Sequence, residues 1–185
     1  MLDDIEFLDD ATRPVPPRLE GLTEAQKAPG EHLRMVHDHL RENMHLLRQL
    51  IERAAAGTMS PGQVVEETAN LDMIANYRRF GNLCGRYCQV VNIHHSIEDQ
   101  SVFPVLGSKS EVFRRITERL AAEHVVVHEL LVRLVGALTE LAREPNEANF
   151  RAARELYETL ERVLLSHLGY EEDAIGDALG YFQVI

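Results

Sequence analysis

The stretch Asn92-Ile93-His94-His95-Ser96-Ile97-Glu98-Asp99 decides the reading of this chain. His94 and Glu98 stand four residues apart, as do His95 and Asp99. On an α-helix that spacing is one turn, so an imidazole and a carboxylate project from one face. Tyr87 and Phe80 precede His94 at seven-residue steps, which makes the approach to it aromatic and apolar. A helix with a histidine and a glutamate on its buried side must satisfy both polar groups. A metal ion does so, since neutral imidazole and ionised carboxylate are both ligands and the ion compensates the buried negative charge.

The flanking segments read as helices. Residues 1–30 carry Pro14, Pro16, Pro17 and Pro29 and predict an extended arm with at most a short turn at Thr23–Lys27, ended by Gly30. Leu33, Val36, Leu40, Met44, Leu47 and Ile51 recur every three or four residues and predict a first helix over 31–56. His37 falls within that stripe, whereas His32, His39 and His45 fall outside it. Ser60-Pro61-Gly62-Gln63 is a start signal, with Ser at the N-cap, Pro at the first helical position and Gln closing a capping box. The second helix then extends to Phe103, where Pro104 and Gly107 stop it. Its length predicts a break, near 70–75 or at Gly81 and Gly85. A third helix is predicted over 110–143, with His124 and His128 one turn apart on its apolar face. A fourth is predicted over 147–179, carrying His167 and Glu171 inward.

Four helices with short or modest connections predict an all-α, up-down-up-down antiparallel four-helix bundle over 31–180, preceded by the arm and followed by a tail at 181–185. The 185 residues suffice for one continuous core. A net charge of −11 and a pI near 5.2 disfavour nucleic acid and anionic membranes as partners. With no long apolar run and no leader-like N-terminus, the expected location is the cytoplasm. Cys84 and Cys88 lie one turn apart, where a disulfide would be strained, so small reduced residues are expected. Nine histidines is the anomaly of the composition.

Polar residues on the apolar faces are His37, His94 with Glu98, His124 with His128, and His167 with Glu171, so every helix contributes. Antiparallel packing brings His37, Glu98 and Glu171 to one layer. His124 lies about four turns into its helix, which therefore either begins late or overhangs the bundle. Left without a metal, several of these buried groups would go unpaired at about 1–3 kcal/mol each. Five imidazoles and two carboxylates exceed one tetrahedral zinc and suit two ions of intermediate hardness, iron or manganese.

The motifs Met35-Val36-His37-Asp38, His94-His95-Ser96-Ile97-Glu98-Asp99-Gln100-Ser101-Val102-Phe103-Pro104, Leu120-Ala121-Ala122-Glu123-His124 with His128, and His167-Leu168-Gly169-Tyr170-Glu171-Glu172 together resemble the hemerythrin-like, or HHE cation-binding, family of non-haem di-iron four-helix bundles. The resemblance implies two iron ions with an oxo or hydroxo bridge, manganese or a mixed pair being possible. It implies terminal ligation by His37, His94, His124, His128 and His167 and bridging by Glu98 and Glu171, with Glu172 as the alternative acid. His95 is expected to support the site from outside. Tyr87 is expected either to serve as a core aromatic or to meet a bound ligand with its hydroxyl. By the same resemblance the chain binds dioxygen, nitric oxide or peroxide for sensing, carriage or detoxification. The alternatives are an enzyme decomposing peroxide or handling nitric oxide, and an iron donor or repair protein.

Overall fold

The computed structural model describes residues 2, 4–56, 60, 63 and 85–185, with side chains from Val91 onward in the last segment. Among these residues every long element is a helix and there is no strand. The elements are α1 (Glu24–Ala55), α2 (Gly85–Ile97), a π-turn (Glu98–Val102), α3 (Phe103–Gly107), α4 (Glu111–Arg143) and α5 (Glu147–Tyr181). The chain is an all-α bundle.

Capping chemistry fixes most of the ends. Ser110 Oγ accepts from the Phe113 amide (3.3 Å) at the start of α4, and Asn146 Oδ1 accepts from the Asn149 amide (2.9 Å) at the start of α5. At Ser60 the two halves of the expected capping box are made, Ser60 N–H to Gln63 Oε1 at 2.8 Å and Gln63 N–H to Ser60 Oγ at 3.2 Å. The expected break at 70–75 or Gly81, and Cys84, lie outside the described residues, as do the Tyr87 and Cys88 side chains.

The start of α1 corrects the sequence reading. The helix begins at Glu24, seven residues early, and runs through Pro29. A second capping box starts it: Thr23 N–H donates to Gln26 Oε1 (3.0 Å) and the Gln26 amide to Thr23 Oγ1 (3.3 Å). Pro29 removes only the bond to the Ala25 carbonyl, and Ala25 is exposed, so water can replace it.

The second rod also runs further than expected, past Pro104 to Gly107. It does so through the π-turn, in which the Phe103 amide reaches back five residues to the Glu98 carbonyl. The extra residue in that turn shifts the buried stripe from 91, 95 and 98 to 102, 103 and 106, leaving Ser101 and Val105 exposed. Turns of this kind recur at functional sites, and this one starts on Glu98.

Neighbouring helices run antiparallel. On α1 and α5, Gln26 meets Gly180 and Gly30 meets Gly176 at one end, and Met44 meets Tyr157 at the other. On α4 and α5, Phe113 meets Phe182 and His124 meets His167. α2 pairs with α4 through His95 and His128. The crossing of α1 and α5 is close enough to require glycine, since a Cβ on Gly180 would lie 1.8 Å from the Gln26 carbonyl oxygen.

These longer rods answer the question of His124. His37 lies 13 residues after Glu24 and His124 13 after Glu111, while Glu98 precedes Gly107 by 9 and Glu171 precedes Tyr181 by 10. All four therefore stand about 14–20 Å from the same end of the bundle. The first turns of α4 do not overhang: Phe113, Ile116 and Leu120 are buried with Leu33, Leu106, Ile175 and Leu179. A larger cluster, including Leu40, Met44, Leu130, Leu156 and Leu164, fills the other side of the polar layer.

The arm is pinned to the α4/α5 face. Leu2, Ile5 and Leu8 pack on the larger core cluster. Arg133 holds Asp4 through two contacts of 2.6 and 2.7 Å. A short 3-10 turn, Asp10–Thr12, places Arg13 against α4.

Candidate metal centre

Between the two apolar clusters lies a layer of histidines and acids. His37, His95 and His167 and the Glu171 carboxylate are fully buried, with His124 and Glu98 nearly so. Their ligand atoms form two groups: His37, His94, Glu98 and Glu171 in one, and His95, His124 and His167 in the other. Within each group one ligand atom per residue lies within 4.8 Å of all the others.

The two carboxylates stand between the groups. Glu98 has Oε1 3.3 Å from His94 Nε2 and Oε2 3.8 Å from His124 Nε2. Glu171 Oε2 is 3.5 Å from both His37 Nε2 and His167 Nε2. The Nε2 atoms of His37 and His94 face each other at 2.9 Å. Donor atoms about 2.0–2.1 Å from a common ion are separated by roughly 2.9–3.4 Å, the range these pairs approach.

Outer partners fix which ring nitrogen points inward. His37 Nδ1 meets Glu172 Oε1 at 2.8 Å, His124 Nδ1 meets Asp99 Oδ1 at 2.9 Å, His167 Nδ1 meets Glu123 Oε2 at 3.0 Å, and His95 Nδ1 meets His128 Nε2 at 3.1 Å. A carboxylate accepting at Nδ1–H leaves the Nε2 lone pair free for the interior, the tautomer that a metal ligand needs. Burial opposes ionisation of Glu123, but hydrogen bonds from His167, Arg13 and Arg119 outweigh it and hold its carboxyl down to about 2.

The interior is poorly satisfied by protein alone. Among the described residues six buried side-chain atoms have no hydrogen-bond partner, and all are here: His95 Nε2, His124 Nε2, His167 Nε2, Glu98 Oε2 and both oxygens of Glu171. At about 1–3 kcal/mol each, their summed penalty rivals the whole net stability of a typical domain, about 5–15 kcal/mol. Burial and then neighbouring Glu171 push the Glu98 carboxyl far above the ordinary carboxylate range, and burial raises Glu171 likewise. Burial, reinforced by neighbouring histidines, holds the imidazoles of His37 and His94 down to about 3 and that of His124 to about 2. Neutral imidazoles stacked 3.7 Å apart, as in His95 and His124, with free lone pairs beside unsatisfied carboxyls, fit a cation.

A family model, the hemerythrin HHE cation-binding domain, matches residues 28–179. The chain belongs to this family. Neither the curated proteins nor the solved structures compared with it gave a match. A hemerythrin-like domain is a metal-binding domain, and the two His/Glu clusters fit such a site.

The geometry reassigns two positions within the hemerythrin-like pattern. His95, expected outside, turns an unpartnered Nε2 inward with His124 and His167. His128, expected among the ligands, is half-buried and stands behind His95 as its hydrogen-bond partner. Adjacent residues on a helix are about 100° apart, so His94 and His95 straddle the bundle axis, one facing each donor group. Glu171 is inside, and Glu172 is outside on His37 and Arg41 (2.7 Å). His37 is buried, while His32, His39 and His45 are exposed. Sequence reasoning missed Glu123 and the role of Asp99, which bonds His124 and not its own-helix neighbour His95. The one local sign for Glu123 is Arg119 a turn before it, donating to its Oε1 at 2.7 Å.

Proposed function

We propose that this hemerythrin-like chain holds two iron ions and binds a small neutral ligand, such as dioxygen, nitric oxide or peroxide, at one of them. The carrying observation is the set of six orphaned donor and acceptor atoms converging in one dry layer. His37 and His94 would hold one ion and His95, His124 and His167 the other, with Glu98 and Glu171 shared between them. The mixed imidazole and carboxylate set suits iron or manganese better than calcium or magnesium. When bound, a pair of such ions supplies reversible electron transfer and an open coordination position.

The protein's own part is orientation and exclusion of water. Asp99, Glu123 and Glu172 hold the Nδ1 sides of three histidines, and the apolar clusters on either side keep the layer dry. Access is expected at His94, whose side chain is 12% exposed against 0–5% for the other charged-pair members His37, Glu98, His124, His167 and Glu171. A cavity of about 380 Å³ reaches His94 and Glu98 between α1, α2 and the end of α5, and Leu33, Val36, Ile93, Ile97, Ile175 and Leu179 line it. An ion entering it would lose hydration without compensation, so an uncharged molecule is favoured. The donor group beside this opening also has the fewer imidazoles, two against three.

The test is the absorption spectrum of the anaerobically reduced, iron-loaded protein before and after exposure to dioxygen and, separately, nitric oxide. A stable adduct spectrum supports ligand binding. Continuous consumption of peroxide or nitric oxide would move the reading to an enzyme, and ready loss of iron to a mild chelator would move it to an iron donor. No spectral response to any of these ligands would overturn it.

A further inference from the structure

We propose that Arg13, in the N-terminal arm, is a positioning residue for the metal centre, acting through Glu123 on His167. The proposal rests on the reading that His167 holds a metal ion. Arg13 forms a two-pronged contact with Glu123, Nε to Oε1 at 2.8 Å and Nη2 to Oε2 at 3.0 Å. Its remaining nitrogen donates to Ser166 Oγ at 2.9 Å. The guanidinium lies 4.8 Å over the Tyr170 ring, and the Tyr170 hydroxyl donates to the Pro14 carbonyl at 2.9 Å. Arg13 thus meets Glu123, Ser166 and Tyr170 from a segment outside the bundle, with its side chain only 14% exposed.

Glu123 is the junction. Its Oε2 accepts both from Arg13 and from His167 Nδ1, and its Oε1 accepts both from Arg13 and from Arg119. Arg119 in turn donates to Thr12 Oγ1 at 2.7 Å and to the Asp9 carbonyl at 2.9 Å. Both arginines that grip this carboxylate therefore also grip the arm. The other histidine anchors differ: Glu172 behind His37 is held by Arg41 of α1, and Asp99 behind His124 comes from the π-turn. Among the described residues, the His167 anchor is the one that runs out of the bundle into the arm.

Under the arm, a pocket of about 70 Å³ is lined by Phe7, Leu8, Asp10, Arg13, Glu123 and Ser166. With Arg13 truncated this pocket opens beside Glu123, and water competes for the His167 Nδ1–H. The ring then loses part of what fixes its orientation and basicity. Outer partners of metal-ligating histidines typically change affinity by about 10–100-fold, and Arg13 stands one bond further out. Coupling is reciprocal, so a metal on His167 must also tighten the arm.

The experiment compares the full chain with Arg13→Ala, Arg13→Lys and Arg133→Ala, the last releasing the arm's contact with Asp4, remote from Glu123. Cobalt(II) is titrated against a competing chelator, and amide hydrogen exchange of residues 5–16 is followed with and without cobalt. For Arg13→Ala the expected result is two ions bound, one about tenfold weaker and the other unchanged. Arg13→Lys should fall between, because an ammonium cannot reproduce the two-pronged contact. Arg133→Ala should bind both ions as the parent does. Cobalt should slow exchange in the arm of the parent and not in that of Arg13→Ala. Unchanged affinity for both ions in Arg13→Ala overturns the proposal while leaving the metal centre standing. If Arg13→Ala loses its helical signal, Arg13→Lys decides, and parent-like affinities there overturn it equally. Failure of the parent itself to bind cobalt would overturn the metal-centre reading first and this inference with it.

Discussion

Replacing Glu171 by leucine separates a metal site from an ordinary polar core. The Glu171 side chain is fully buried and neither oxygen has a hydrogen-bond partner. Two orphaned acceptors cost the metal-free protein about 2–6 kcal/mol. Leucine removes both, at about 1–2 kcal/mol of reshaped packing. His37 Nε2 keeps His94 at 2.9 Å, and His167 Nε2 was already unpartnered, so no new orphan is made. The metal-free variant should therefore be more stable than the metal-free parent by about 1–4 kcal/mol, with a Tm roughly 2–4 °C higher per kcal/mol for a domain of this size. Added iron should reverse the order, since the parent gains stability by mass action and the variant has lost an acid shared by both ions. Urea titration of chelator-treated protein and thermal melts with and without iron give the four values needed. A metal-free variant less stable than the metal-free parent would show that Glu171 is already satisfied by its neighbours, and the argument from orphaned atoms would fall.

Other outcomes follow from the same layer and from the helix crossings. His95→Ala should abolish binding of one ion, whereas His128→Ala should retain both with one about 10–100-fold weaker, as metal titration of the two variants would measure; the reverse order would restore His128 as a ligand. Gly180→Ala should destabilise by about 1–3 kcal/mol, because its Cβ would sit 1.8 Å from the Gln26 carbonyl oxygen and force α1 from α5. Gly136→Ala, whose Cβ meets nothing within 4 Å, should be neutral or stabilising by up to about 1 kcal/mol in the same denaturation assay. For the metal-free protein, histidines held below their ordinary 6.5 keep the folded state neutral while the unfolded chain takes up protons, so stability falls as pH drops below about 6.5. Glu98 and Glu171, raised above 4.5, stay protonated when folded but ionise when unfolded, so stability also falls as pH rises above neutrality. Denaturation of chelated protein across pH 5–9 should thus peak near 6.5, and a flat profile would contradict these burials.

The parts of the structure that local rules control were legible in the sequence. Ser110 and Asn146 start α4 and α5 where a side-chain cap predicts, and the stripe from Leu33 to Ile51 lies on the buried face of α1. Pro29 misled because a proline was read as a barrier, while Thr23 and Gln26 had already nucleated the helix ahead of it. The π-turn was invisible, since an α-periodic stripe carries no mark of the one place where a residue is added. At the centre, spacing identified which helix faces carry donors, and His37, His94, Glu98, His124, His167 and Glu171 do meet in one layer. Spacing could not rank His95 against His128, because both sit one turn from another candidate and the choice depends on how α2 is rotated against α4. The arm's grip on Glu123 joins residues 110 positions apart, and no local pattern encodes such a contact.

The most direct measurement is the metal content of the chain purified after expression in iron-supplemented medium, determined by elemental analysis against protein concentration. The account predicts two irons per chain, falling to fewer than two when His95 or Glu171 is replaced. One zinc per chain, or no metal at all, would contradict it.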